Sequence, residues 1–353
     1  MRKILIINIF GIGDVLFTYP LIDNIKAFDP KCEIGYIGNQ RTAALLRAHP
    51  DIDKVFIYEK DTYKHLYRQA PLKAFKYLLD LYKNIRKERY DAVIDLSLNY
   101  YFSFLCWKAG IPQRVGLNFK QRSPFLNNKV ELKGYEGRHV VDYYLELLTS
   151  LDIPVRKRHI ELRLRPQDRE WAERFFRQKD LLHSPLRIGM APGGGDSWGK
   201  DALWKQWPME RYAKLADKLF EKFSADIILL GGKNDEKLCE KVKNLIPHKV
   251  HSACGRSTIL QFAALANQCD MVVLNDGGPL HVAVAAGAKT VSIFGPVDED
   301  VYGPRSSTKQ CVVTSDVFCR PCYRQFKRAR CQHAKCLQDI SVEHVFQKIE
   351  ACL

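Results

Sequence analysis

No apolar run in the chain approaches the length needed to cross a bilayer, and residues 1–10 carry no secretory cleavage site. A spanning helix and an exported protein are therefore not expected, and the protein is expected in the cytoplasm. Met1-Arg-Lys followed by Ile4 to Asn8 reads instead as a first strand. Acidic residues are in short supply, with Asp+Glu 40 against Lys+Arg 55, a formal charge of +15. Such a surplus favours a polyanionic partner: nucleic acid, an anionic membrane surface, or a phosphorylated or acidic-sugar substrate. It equally serves plain solubility, and it says nothing about fold.

Two further absences remove a function class. The turn Ile9-Phe10-Gly11-Ile12-Gly13-Asp14 after the first strand has two glycines of a dinucleotide-binding fingerprint and lacks the third. Asp14 stands where a pyrophosphate would be repelled. The next strand, Cys32 to Ile37, ends in Gly38-Asn39-Gln40, without the acid that would hold a ribose. A nicotinamide oxidoreductase is not expected on either count. An acid at the end of a strand suits a general base, or a cap for the helix from Val15 to about Phe28.

What is present is a soluble α/β chain, 46% hydrophobic and 27% charged, whose 353 residues call for two domains. Short apolar strands alternate with helical periods in both halves. Residues 60–89 are basic (Lys64, Arg68, Lys73, Lys76, Lys83, Arg86, Lys87) with apolar residues at helical spacing, which predicts amphipathic helix with a cationic face. Residues 118–139 read as a polar, irregular segment rich in Lys120, Arg122, Lys129, Lys133, Arg138 and His139; such loops often carry substrate contacts. The expected division is an N-terminal domain over 1–165, a connector over 166–185, a C-terminal domain over 186–339, and a closing helix over 340–353 that packs back on the first domain.

The second half is organised around Asn275-Asp276-Gly277-Gly278-Pro279-Leu280-His281. A core strand (270–274) precedes it, a helix-forming run to Gly287 follows, and a second strand ends at Gly295-Pro296. A glycine turn between strand and helix offers backbone N–H groups and a positive dipole end to an anion such as a diphosphate. The plainer alternative is a tight turn with Asp276 as its cap. Gly193-Gly194-Gly195 makes a similar turn after the strand Leu186–Ala191, so two Rossmann-like domains facing across a cleft are expected.

These residues resemble a known family. Gly13-Asp14 with Pro20, Lys205-Gln-Trp207-Pro208, Leu230-Gly231-Gly232, the Asp276-Gly-Gly-Pro-Leu-His281 turn and Phe294-Gly295-Pro296 fall in the order found in glycosyltransferase family 9, the ADP-heptose:lipopolysaccharide heptosyltransferases. The resemblance runs nearly end to end. It implies a GT-B architecture and an inverting, metal-independent transfer of a heptose from ADP-heptose to the lipopolysaccharide inner core, at the inner face of the cytoplasmic membrane. It implies Asp14 as the base, with Gly13, Lys120, Arg122, Arg138 and His139 toward the acceptor. Lys205, Asp276, Gly277, Gly278 and His281 would hold the donor, with Gly193, Gly194 and Gly195 letting backbone approach the nucleotide. Asp235 and Glu236 are both candidates for the ribose. Three glycines stand where the family often has hydroxyl residues, and the spacer Asp196–Trp204 before Lys205 is long. The same fold with a protein or other glycan acceptor, or with epimerase chemistry, remains an alternative.

Eleven cysteines without an export signal suggest reduced thiols. Four of them, Cys319-x2-Cys322-x8-Cys331-x4-Cys336, lie in 18 positions among Arg320, Arg324, Lys327, Arg328 and Arg330. A structural zinc or iron site, with His333 able to replace one ligand, stands beside a reduced loop and a disulfide as readings. A zinc-ribbon reading would bring in a nucleic-acid partner, since Tyr323 and Phe326 interleave with the cations. No other nucleic-acid motif supports one, and none is expected.

Overall fold

The computed structural model describes residues 2–305 and 308–353. It divides into two compact units, Met1–Ile160 and Glu161–Leu353. Each is built on a six-stranded, wholly parallel sheet with helices on its faces.

In the first unit the strands are β1 (Lys3–Ile7), β2 (Glu33–Gly38), β3 (Lys54–Ile57), β4 (Ala92–Asp95), β5 (Gln113–Phe119) and β6 (Asn128–Leu132), ordered β3-β2-β1-β4-β5-β6. In the second they are β7 (Arg187–Ala191), β8 (Asp226–Leu229), β9 (Val250–Ser252), β10 (Met271–Asn275), β11 (Thr290–Ile293) and β12 (Gln310–Val313), ordered β12-β11-β10-β7-β8-β9. Counted within each unit, both follow the Rossmann order 3-2-1-4-5-6. The order reverses beside β1 and β4 in one sheet and beside β7 and β10 in the other. In each sheet a ligand site is therefore expected at the carboxyl ends of its own two switch-point strands.

The pattern of burial explains the strands. β1, β4, β7 and β10 are apolar over nearly their whole length, because helices cover both faces of a parallel sheet. Pro20 sits at the second position of the helix Tyr19–Phe28, so the single helix expected from Val15 becomes two, Ile12–Leu16 and Tyr19–Phe28. Pro71 likewise divides the basic region into the helices Lys60–Gln69 and Pro71–Glu88. No helix among the described residues is long and apolar enough to cross a membrane.

Three expectations need correction. The segment 118–139 is not wholly irregular, since it contains β6, an exposed edge strand whose polar residues hide its pairing with β5. The connector over 166–185 is part of the second unit: the helix Pro166–Gln178 packs on the helix Ile259–Gln268, and the Leu162 N–H donates to the Ala285 carbonyl at 2.7 Å. The closing helix, Val342–Cys352, belongs to the second unit. It lies against the helix Met209–Phe223 and β12, and Val345, Phe346 and Ile349 are buried in the second core. Cys352 is disulfide-bonded to Cys311 on β12, so not every thiol is reduced.

Candidate active site

In the second unit the site begins with Asn275, the last residue of β10. Its Nδ2 donates to the carbonyls of Pro192 (2.8 Å) and Gly193 (3.1 Å), and its Oδ1 accepts from the Trp207 N–H and the Tyr212 hydroxyl, both at 3.0 Å. One buried side chain thus ties the turn after β7 to the segment that carries Lys205. Gly194 and Gly195 are left-handed (φ +102° and +84°), and a Cβ on Gly277 would stand 3.1 Å from the Gly195 nitrogen. The two glycine turns touch because neither has a side chain there.

Behind them the helix Gly278–Ala285 starts with Pro279 in its first turn. Its first N–H groups have no carbonyl partner within the helix, and its dipole places positive charge at the same end. Lys205 and Asp276 form a buried ion pair, Nζ to Oδ2 2.7 Å, and the ammonium lies 4.4 Å from the centre of the Trp198 ring. His281 is buried one turn into the helix, where its N–H donates to the Gly277 carbonyl at 3.3 Å.

The two acidic candidates for the ribose separate clearly. Asp235 is buried and turned onto backbone, its Oδ2 accepting from the Gly232 N–H at 2.9 Å and its Oδ1 from Gly194 at 3.4 Å. A Cβ on Gly193 would stand 1.9 Å from Asp235 Oδ1, so that glycine makes room for the carboxylate. Glu236 is exposed and lies beside Gly255.

In the first unit, parallel strands put every acceptor-side candidate after a carboxyl end. Asp14 follows β1, half-buried in the short helix Ile12–Leu16, with its Oδ2 accepting from the Gly11 N–H at 3.0 Å. Asn8 and Asn39 hold the turn around Gly13: Asn8 Nδ2 donates to the Asp14 carbonyl (3.0 Å) and Asn39 Nδ2 to the Phe10 carbonyl (2.6 Å). Lys120 and Arg122 are exposed after β5, both over the Phe119 ring. His139 caps the helix Val140–Glu146 and meets the Phe17 ring edge-on at 5.2 Å. Arg138 is paired with Glu146 and stacked on Tyr143 at 3.9 Å.

The sequence reading missed Asn275 as a hub, Trp198, and Asp95. Asp95 ends β4 directly beside Ile7 of β1 and is 2% exposed; burial pushes its carboxyl up to about 6, against which the Ser97 N–H at 2.9 Å works. An acid closing a core strand at the switch point was the available signal. The four cysteines 319, 322, 331 and 336 are brought together, lining one small cavity of the second unit.

The profile of glycosyltransferase family 9 (heptosyltransferase) matches residues 78–333. The chain belongs to this family. Lipooligosaccharide heptosyltransferase 2 of Campylobacter jejuni is 27% identical over 343 residues, covering 96% of this chain and 95% of its relative. The glycosyltransferase family 9 structure from Veillonella parvula superposes with a TM-score of 0.83 at 24% identity, covering 99% of this chain and 97% of that one. The E. coli ADP-heptose lps heptosyltransferase II gives 0.77 at 22% identity, covering 99% and 98%. Family 9 membership makes this chain a glycosyltransferase, and the structural likeness together with the paired sheets makes it a GT-B fold.

Proposed function

We propose that the protein moves a heptose from ADP-heptose to the inner core of lipopolysaccharide, with inversion at C1. The observation that carries this is the meeting, at the β7/β10 switch point, of a three-glycine turn, a helix N-terminus and the Lys205–Asp276 pair. A leaving diphosphate needs that combination of N–H donors and a cation. The names of the relatives supply the sugar and the acceptor class.

In this reading Asp14 takes the proton of the acceptor hydroxyl as its oxygen attacks C1. The C1–O bond to the diphosphate breaks, and ADP departs with the electron pair. Lys205 and the N–H groups of Gly278 and Leu280 meet the developing charge, while His281 orients the diphosphate. Glu236 takes the ribose hydroxyls, since Asp235 already serves the backbone. Gly13, Lys120, Arg122, Arg138 and His139 face the acidic, phosphorylated acceptor. The transfer itself takes no metal; a zinc or iron ion at Cys319, Cys322, Cys331 and Cys336 is structural.

The acceptor is membrane-bound, and the first unit has a face that suits an anionic bilayer at the cytoplasmic side. Leu72 (86% exposed), Phe75 (65%) and Tyr67 (64%) project from the helices Lys60–Gln69 and Pro71–Glu88 among exposed Lys64, Arg68, Lys73 and Lys76. Apolar and aromatic anchors ringed by cations are the composition of interfacial helices.

The first experiment is thermal stabilisation by ADP, UDP, GDP, CDP and a short RNA, since a ligand that binds only the folded state raises the melting temperature. Selective stabilisation by ADP, followed by ADP-heptose-dependent transfer to core acceptor, is the expected result. Selective response to UDP would change the donor, and response to RNA alone would overturn the enzyme reading.

A further inference from the structure

Between its paired cysteines the chain makes a small antiparallel hairpin, β13 (Tyr323–Arg324) and β14 (Lys327–Arg328). Cys319 and Cys322 precede it, Cys331 and Cys336 follow it, and all four thiols line one cavity with His333 at its side. The base of the hairpin is anchored to the turn after β11. The N–H groups of Cys322 and Tyr323 both donate to the Pro296 carbonyl, at 2.9 and 3.0 Å, and the Ala329 N–H donates to the Cys322 carbonyl at 3.0 Å. Arg320 bridges the Gly295 carbonyl (2.9 Å) and Glu299 (2.6 Å).

Four thiols around one cavity on a Cys-x2-Cys knuckle and hairpin form a donor set for a soft or borderline cation. Among the described residues, the one group of three ligand atoms already within 4.8 Å of one another is Asp23, His49 and Asp51. The thiols stand wider than that, so binding must draw the sulfurs inward and release thiol protons.

The hairpin's neighbours, Trp204 among them lining the same cavity, give the ion a consequence. Tyr323 packs on Trp198 with ring centres 4.9 Å apart, and the Arg328 guanidinium lies 4.4 Å from the Trp204 ring and 3.6 Å from Asp201. Trp198 in turn carries the Lys205 ammonium at 4.4 Å. Trp198, Asp201, Trp204 and Lys205 all belong to Asp196–Lys205, a run of 3-10 turns interrupted at Gly199 (φ 58°). Such a run holds its shape poorly alone, so the hairpin is the wall that fixes it.

We propose that Cys319, Cys322, Cys331 and Cys336 bind one zinc or iron ion that positions the donor lysine: the ion stiffens the hairpin, and the hairpin clamps Trp198 and Trp204 behind Lys205. The proposal rests on Lys205 meeting the diphosphate. Its cysteines are positioning residues and touch no substrate.

The test takes the full chain, purified under reducing conditions, and measures zinc and iron per chain by plasma mass spectrometry. One ion per chain is expected, lost in the Cys322→Ser/Cys336→Ser variant or on stripping with a mercurial and a chelator. Loss of the ion is expected to change the fluorescence of Trp198 and Trp204 and to weaken ADP binding by calorimetry roughly tenfold. Both should return when zinc or ferrous iron is restored to the stripped protein, and Lys205→Ala should keep its ion while losing ADP affinity. Absence of any ion, both as purified and after anaerobic reconstitution with zinc or ferrous iron, overturns the site. An ion whose loss leaves fluorescence and ADP affinity unchanged overturns the clamp. If the metal-loaded protein binds no ADP while the fluorescence still follows the ion, the donor assignment has failed and the clamp stands.

Discussion

Two carboxylates lie beyond or at the carboxyl ends of neighbouring strands, Asp14 in the helix after β1 and Asp95 at the end of β4, and their surroundings set them apart. Asp14 is half-buried with one oxygen held by the Gly11 N–H, which aims the other without neutralising the group. Asp14→Asn keeps the shape and removes the basicity, so transfer should fall at least about a thousandfold while ADP affinity stays near wild type; normal turnover would remove Asp14 as the base. Asp95 is fully enclosed and held up at about 6 against an ordinary 3.8. Below about pH 4 it is protonated in both folded and unfolded chains and costs nothing. As pH rises toward 6 the unfolded chain loses the proton first, so stability declines, levelling off above 6 at a penalty of roughly 3 kcal/mol. Denaturant titrations of Asp95→Asn should therefore show a gain at pH 8 over pH 4, relative to wild type; parallel curves would show that Asp95 titrates normally. Lys205 is tested against its own partner. Lys205→Ala leaves Asp276 charged and buried, which should destabilise by about 3 kcal/mol and weaken ADP binding. Adding Asp276→Asn should restore stability without restoring ADP affinity; recovery of both would make the lysine a purely structural cation.

At the level of elements, Asn275 decides whether the turn after β7 and the segment before Trp207 stand. Replacing it with Leu strands the Trp207 N–H, the Tyr212 hydroxyl and two carbonyls in a dry interior. At about 1 kcal/mol for each of the four orphaned groups, Asn275→Leu should lose roughly 4 kcal/mol in urea titration and weaken ADP binding; a change under about 1 kcal/mol would show that the loops hold without it. The strand–turn–helix around Asn275 was legible in the sequence because an apolar run, a glycine pair and a proline at the second helical position each point the same way. So was the alternation that sets both sheets. Edge strand β6 was not legible, since Asn128, Lys129 and Glu131 are exposed and only Leu132 is fully buried, too little apolar alternation to reveal a strand. Nor was the hairpin β13–β14, whose two-residue strands are too short for any period. Asp235 and Glu236 are adjacent acids at a helix start, and only the backbone of Gly194 and Gly232 distinguishes them. For the closing helix, the apolar stripe Val345, Phe346, Ile349 announces a buried face but not which core receives it.

Over the whole molecule the +15 charge is not spread evenly in its consequences. Residues 60–88 hold eight Lys and Arg against three acids, and they do so around the most exposed apolar side chains of the first unit, Leu72 among them. Tyr63 stacks near both Tyr67 and Tyr101 at 6.1 Å, which extends the aromatic surface toward exposed Tyr100. Each cation near an anionic surface contributes about 1 kcal/mol, and burying Leu72 and Phe75 adds roughly 1.5–3 kcal/mol apiece. The two contributions separate by experiment. Sedimentation with phosphatidylglycerol vesicles should carry the protein down at low salt and release it as salt screens the cations, while phosphatidylcholine vesicles should bind it weakly throughout. Leu72→Asp with Phe75→Asp should reduce partition on the order of a hundredfold, with ADP binding unchanged, because neither side chain belongs to the unit that carries the glycine turns. Equal binding to both lipids, or a double variant that still sediments, would mean the basic helices serve solubility alone and that the acceptor is reached from solution.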